Sequence, residues 1–142
     1  MNNTLKMDTP QKLSLLWIFV TLNYLYCDLM GLMDANLLSQ YLTGSVDGLV
    51  ISEDFLLGAA ILMEIPIAMV LLSRLLPHRA NRWTNFAAGF IKTAAMVATF
   101  FMGLPTSYYL FFATIEIATT IYICWLALRW KEAEKGVVTM AA

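Results

Sequence analysis

The sequence predicts an all-α, polytopic membrane protein, a four-transmembrane-helix bundle with both termini on the cytoplasmic side. Three observations predict it. Hydrophobic residues make up 60% of the 142 and charged residues 13%, against roughly 45–50% and about 25% in soluble domains. Four stretches reach the length of about 20 mostly apolar residues that a helix needs to cross ~30 Å of hydrocarbon. Lys and Arg fall almost entirely on one side of those stretches. A mean hydropathy of +0.69 does not suit a water-soluble globule. The net charge of -1 leaves no basic footprint for nucleic acid. Two cysteines, Cys27 and Cys124, build no disulfide framework and no metal signature. One histidine leaves little scope for metal or haem, and no cofactor is expected. The length allows a single domain over 1–142.

The expected spans run from Leu13 to Met33, Phe55 to Leu76, Trp83 to Gly103 and Thr106 to Trp130. The first is read as a retained span rather than a cleaved leader, because it is long, lacks a small-residue cleavage site and contains Asn23 and Asp28. Between the first two spans lies an external loop, 34–54. It carries Leu37, Leu38, Tyr41 and Leu42 at helical spacing, so either span one continues outward or an interfacial helix follows it. That segment shields the top of the bundle or acts as a lid, the shield being the simpler reading. Asp34, at the end of span one, reads as an interfacial acid. Ser52 before Glu53 and Asp54 is an N-cap with acids in the first turn. Leu76-Pro77 ends span two, and Gly103-Leu104-Pro105 makes a tight turn before span four. After Lys131 a helix end and a frayed tail are expected.

Orientation follows from the basic residues. Lys6 and Lys12 precede span one, Arg74, Arg79 and Arg82 surround the second link, and Arg129, Lys131 and Lys135 follow span four. These are eight of the nine Lys and Arg residues; the loop 34–54 has four acids and no base. The positive-inside rule then places both termini in the cytoplasm, in a cell (inner) membrane. Trp17, Trp83, Trp125 and Trp130 lie toward the same face, where an aromatic belt would sit. His78 lies in the cytoplasmic link, beside Arg79 and Arg82.

The polar residues inside the spans are the informative ones. At about 1.5 Å per residue, Asn23, Glu64, Lys92 and Glu116 all lie roughly 15–20 Å from the inner edge, with Asp28 at about 24 Å. Ionisable groups at that depth face the protein interior and mark function. Lys92 is expected to pair with Glu64 or Glu116. Three carboxylates and one ammonium cannot all stay charged in a low dielectric, so at least one carboxyl should carry a proton. Tyr24 and Thr120 supply hydroxyls one turn from Asp28 and Glu116. Glu64, Glu116 and Asp28 are thus the candidate acid–base groups. Lys92, Asn23, Tyr24 and Thr120 are the candidate ligand-binding ones, and no metal site is indicated. The alternative is a polar network that only fixes helix register; interhelical hydrogen bonds in membranes average ~0.6 kcal/mol, little against the cost of burial. Pro66, two residues after Glu64, frees backbone carbonyls near that level. Cys27 and Cys124 differ in depth by roughly 14 Å, too far for a disulfide.

Glu64-Ile65 and Glu116-Ile117, each followed by a terminal Arg, hint at a parallel repeat of two helix pairs. The run Asn-Tyr-Leu-Tyr-Cys-Asp from Asn23 to Asp28, with Glu64-Ile65-Pro66 in span two and Glu116 in span four, resembles small four-helix bacterial membrane proteins, loosely of the DoxX type. The resemblance covers the spans. It implies fold and location and carries over no catalytic residue.

Three functions suit these observations. One is a membrane-embedded pocket that binds, and does acid–base chemistry on, a small lipophilic molecule. Another is a proton-coupled transporter or ion pathway, for which four spans would require a homo-oligomer. The third is a non-catalytic subunit of a larger membrane assembly. The lipid bilayer is a partner in all three.

Overall fold

A computed structural model describes residues 7–101 and 105–131. Its elements, in chain order, are α1 (Thr9–Met33), α2 (Ala35–Leu42), β1 (Ser45–Val46), β2 (Leu49–Val50), α3 (Glu53–Leu75), α4 (His78–Thr99) and α5 (Ser107–Arg129). The described chain is therefore helical apart from one small hairpin. α1, α3 and α5 are long and apolar enough to cross a membrane, which is the mark of a membrane protein. α4 is nearly as long, but its polar residues lower its average.

Local chemistry sets the helix ends. α1 begins a turn before the expected span because Asp8 and Gln11 form a reciprocal capping box, with Pro10 in the first turn. The expected cap of α3 is present: the Ser52 hydroxyl accepts from the Phe55 N–H, and Glu53 and Asp54 occupy the first turn. α3 stops where Leu76 turns extended before Pro77. α4 then starts at once, at His78 rather than Trp83, because nothing between the two breaks a helix. Thr106 caps α5 by accepting from the Tyr109 N–H. The expected turn at Gly103-Leu104 and the tail beyond Lys131 lie outside the described residues.

The 34–54 link is more structured than its sequence suggested. Asp34 is both the last cap of α1 and the first cap of α2. Its extended backbone breaks the helix, and its carboxylate accepts from the Asn36 and Leu37 N–H groups. Gly44, at φ 77, closes α2 in the left-handed region. The hairpin pairs Ser45 with Val50 and Val46 with Leu49. Its two-residue turn, Asp47 at φ 49 and Gly48 at φ 83, needs positive φ at both positions, which Asp-Gly supplies.

The long helices pack in a ring: α1 touches α3 and α5, α4 touches α5 closely, and α3 and α4 touch least. Each presents a buried seam at alternating three- and four-residue steps, the spacing that keeps one stripe inward in a left-handed bundle. In α1 this seam is Leu13, Trp17, Val20, Tyr24, Cys27 and Gly31. In α5 it is Ala113, Glu116, Thr120, Ile123 and Ala127, and in α4 Asn81, Asn85, Ala88 and Lys92. Trp17 is fully buried at the centre of the core, not in an interfacial belt; Trp83 and Trp125 remain exposed. Its position on the α1 seam, four residues after Leu13 and three before Val20, turns it inward. Both cysteines are free.

Gly89 sets the α4–α5 separation. A Cβ there would lie 2.7 Å from Cys124 Sγ and 3.2 Å from the Thr120 carbonyl oxygen. This close approach lets the Thr93 and Thr120 hydroxyls share a hydrogen bond of 2.8 Å between the helices. Gly89→Val should therefore lower the thermal midpoint in detergent, at a cost of roughly 1–3 kcal/mol for overpacking. Gly89→Ala should cost less, and Cys124→Ala should partly restore it. An unchanged midpoint for Gly89→Val would show that the two helices are not so close.

Candidate functional site

Two places in the fold collect polar groups, and a third is hollow. The first lies at the level where α1, α3, α4 and α5 carry Tyr24, Met63, Lys92 and Glu116. Lys92 is buried at 4% exposure and Glu116 at 0%, both on the inward seams of their helices. The Lys92 ammonium sits 3.9 Å from the centroid of the Tyr24 ring and 3.5 Å from Met63 Sδ. A desolvated ammonium over an aromatic face gains about 2 kcal/mol. Both carboxylate oxygens of Glu116 are buried without a hydrogen-bond partner, as is the Tyr24 hydroxyl. Lys92 and Glu116 lie within electrostatic reach of each other, and Asp28 within reach of both. Burying a carboxylate unpaired costs several kcal/mol. That cost is relieved only by a proton or by a donor brought to it.

Four of the seven expected site residues meet at this centre: Tyr24, Lys92, Glu116 and Thr120. Thr120 serves it indirectly, since its hydroxyl bonds Thr93 and the backbone carbonyl of Glu116 at 3.0 Å. Glu64 does not join. It follows Met63 by one residue, about 100° further round α3, and is exposed. Lys92 thus takes the Tyr24 ring and Met63 as neighbours, where a pairing with Glu64 or Glu116 was expected. Asn23 is half-buried and returns its amide to its own helix, donating 2.8 Å to the Phe19 carbonyl. Asp28 lies on the exposed side of α1. Near it, on α2, partial burial pushes the Tyr41 phenol above its ordinary range, and the Asp28 charge adds to that shift.

The second polar group was not expected from the sequence. Toward the α3–α4 link, Trp17, Ser73, Asn81 and Asn85 are buried at 1% exposure or less. Asn85 is the hub: its Oδ1 accepts from Trp17 Nε1 at 2.7 Å and from the Ser73 hydroxyl at 3.0 Å. Its amide donates to Asn81 Oδ1 at 2.6 Å and to the Asn81 carbonyl at 2.8 Å. The Asn81 amide donates to the Ser73 carbonyl at 2.7 Å. The spacing of Asn81, Asn85 and Lys92, four and seven residues apart, was the available signal, because it puts all three on one face of a helix.

The hollow is a cleft of about 690 Å³ between the Glu53 end of α3, the Thr99 end of α4 and the Ser107 end of α5, roofed by α2 and the hairpin. Its wall is mainly apolar, as at Leu37, Phe55, Leu62 and Ala95, with Tyr108 and Tyr109 on the α5 side. Its lining joins α3 and α4, the neighbouring helices of the ring that touch least. The roof is tied down: Tyr108 donates 3.5 Å to Asp34, the residue that caps α2. Tyr109 contacts Thr99 and donates 3.2 Å to Met96 Sδ, closing the cleft between α4 and α5. Ala95 stands three residues from Lys92, so the inner end of the cleft is about one helical turn, ~4.5 Å along the axis, from the charged centre.

Among the described residues, no cluster of His, Cys, Asp and Glu has a metal-holding arrangement. Compared with known families, the chain matches the family of unknown function DUF6326 over residues 4–137, and it belongs to that family. None of the comparisons links it to DoxX-type proteins. No curated protein and no solved structure matches.

Asn85→Leu should strand the Trp17 N–H and the Ser73 hydroxyl without acceptors, at roughly 1–3 kcal/mol for each buried unsatisfied group. Thermal unfolding in detergent should show a large loss for Asn85→Leu and almost none for Asn23→Leu, whose amide serves only its own helix. Equal losses would remove Asn85 from its place as hub.

Proposed function

We propose that this member of the family of unknown function is an integral protein of the cell (inner) membrane that crosses the bilayer four times, with both termini cytoplasmic. In this reading it binds a small lipophilic molecule in the roofed cleft, and Glu116, beside Lys92, is the group that exchanges a proton at the inner end. The fourth crossing is α4. Its polar Asn81, Asn85 and Lys92 are buried, while Trp83, Phe90, Ile91 and Val97 are exposed. Lipid would therefore meet a more apolar surface than the helix average implies. The sidedness rests on the basic residues, which all lie at one end except Lys92.

One observation carries the binding proposal. A cleft of about 690 Å³, within the ~300–1,000 Å³ range of small-molecule sites, ends about one turn along α4 from Lys92, whose centre includes Glu116, a fully buried carboxylate without a hydrogen-bond partner. Apolar walls select a lipophilic body, and an unpartnered carboxyl is suited to give or take a proton. A second reading, a proton-coupled pathway, draws on the inward polar groups that continue below Glu116: Thr93 with Thr120, then Asn85, Ser73 and Asn81.

Binding is read from the fluorescence of N-phenyl-1-naphthylamine, a neutral lipophile, with the full chain in nanodiscs and empty nanodiscs subtracted. Saturable binding is expected. At Gly58 an added Cβ meets no atom within 4 Å, so Gly58→Trp should fill the cleft without disturbing the packing. Affinity should fall at least tenfold, about 1.4 kcal/mol, at an unchanged thermal midpoint. No saturable binding, or full binding to Gly58→Trp, overturns the proposal. For the pathway reading, Glu116→Gln should abolish proton flux into liposomes, and flux equal to that of the native chain rejects it.

A further inference from the structure

We infer that the occupant of the outer cleft is a lipophilic cation, an apolar body with one positive centre held at the rim by Asp54 and Asp47. This rests on the reading that the cleft takes a small lipophilic molecule, and it names the class.

The charge of the cleft decides it. Among the described residues, Asp47 and Asp54 are the charged ones in its lining, and no Lys, Arg or His lines it. The bias is written along the chain as well: between Lys12 and Arg74, and again between Lys92 and Arg129, there is no Lys, Arg or His. Two more acids stand next to the lining: Glu53 precedes Asp54, and Asp34 accepts from the lining residue Tyr108. The opposing field comes from helix ends. α3 and α5 both begin at the cleft, and a helix N-terminus acts as about half a positive charge. Two such ends supply roughly +1, less than the two full carboxylate charges in the lining alone, so the net field favours a cation.

One further feature suits a positive centre at the rim. Phe55, Tyr108 and Tyr109 line the same wall, and aromatic rings attract a cation. Lys92 then sets the direction. Its ammonium lies about a turn below the inner end and repels a like charge, so the cationic centre stays at the acidic rim while the apolar body points inward. A lipophilic anion would meet the opposite arrangement and lose on the same grounds.

The test compares tetraphenylphosphonium with tetraphenylborate, nearly the same shape with opposite charge, binding the full chain in phosphatidylcholine nanodiscs with empty nanodiscs subtracted. The cation should bind at least tenfold more tightly than the anion. The double variant Asp47→Asn/Asp54→Asn should lower cation affinity about tenfold while leaving N-phenyl-1-naphthylamine binding unchanged. Asn tolerates the left-handed backbone at 47, and Ser52 still caps α3, so the variant should fold. Added salt should weaken the cation and not the neutral probe. Anion binding as tight as cation binding, or a double variant with full cation affinity, overturns the inference. If the neutral probe still binds, the cleft reading stands without it; if the neutral probe fails too, both fall.

Discussion

Asn85 holds the helix ring together. Its carbonyl oxygen receives Trp17 from α1 and Ser73 from α3, while its amide returns to Asn81 on α4. Three helices are thereby bonded through one side chain. The reason lies in α4. That helix carries Asn81, Asn85 and Lys92, and each must be turned away from any apolar surroundings. Because the three lie on one face, a single rotation of α4 hides all of them. Once hidden they must be satisfied, and the Trp17 and Ser73 donors provide for Asn85. Lys92 is served less completely, by an aromatic ring and a thioether, and Glu116 by nothing within hydrogen-bond distance.

That gradient of satisfaction separates structure from candidate chemistry. The Asn85 network is internally bonded and made of groups that do not titrate, which suits a fixed scaffold. One level further out, the Lys92–Glu116 centre is ionisable and incompletely paired. Buried polar groups left without partners call for an explanation, and a functional one is natural beside a cleft. The cleft itself comes from the ring's weakest seam. α3 and α4 touch least, and α2 and the hairpin cover the resulting gap because Asp34 ends one helix, starts the next and accepts a bond from Tyr108 on α5.

Much of this was legible in the residues. Helix extents followed from hydropathy and from caps such as Ser52 and Leu76-Pro77, with α4 displaced because its first turns are polar. The level of Lys92 and Glu116 came from counting residues from the flanking basic residues, and Tyr24 and Thr120 came in as hydroxyls one turn from Asp28 and Glu116. The hairpin was missed although Asp47-Gly48 announced it, because the loop was read for helical spacing alone. The Asn81–Asn85 hub was not legible in the depth count, because the expected span began at Trp83, which leaves Asn81 outside it and Asn85 in its first turn. Glu64 and Asn23 share the level of the centre but point elsewhere.

The sequence by itself determined depth: along a helix each residue advances a fixed ~1.5 Å, so the level of a side chain follows from arithmetic. Only the tertiary structure decided azimuth. Each residue also turns about 100°, so Met63 faces Lys92 while its neighbour Glu64 does not. Which direction counts as inward depends on where the other helices stand. The same holds for the cleft, a space between elements far apart in the chain that no single stretch of residues encodes.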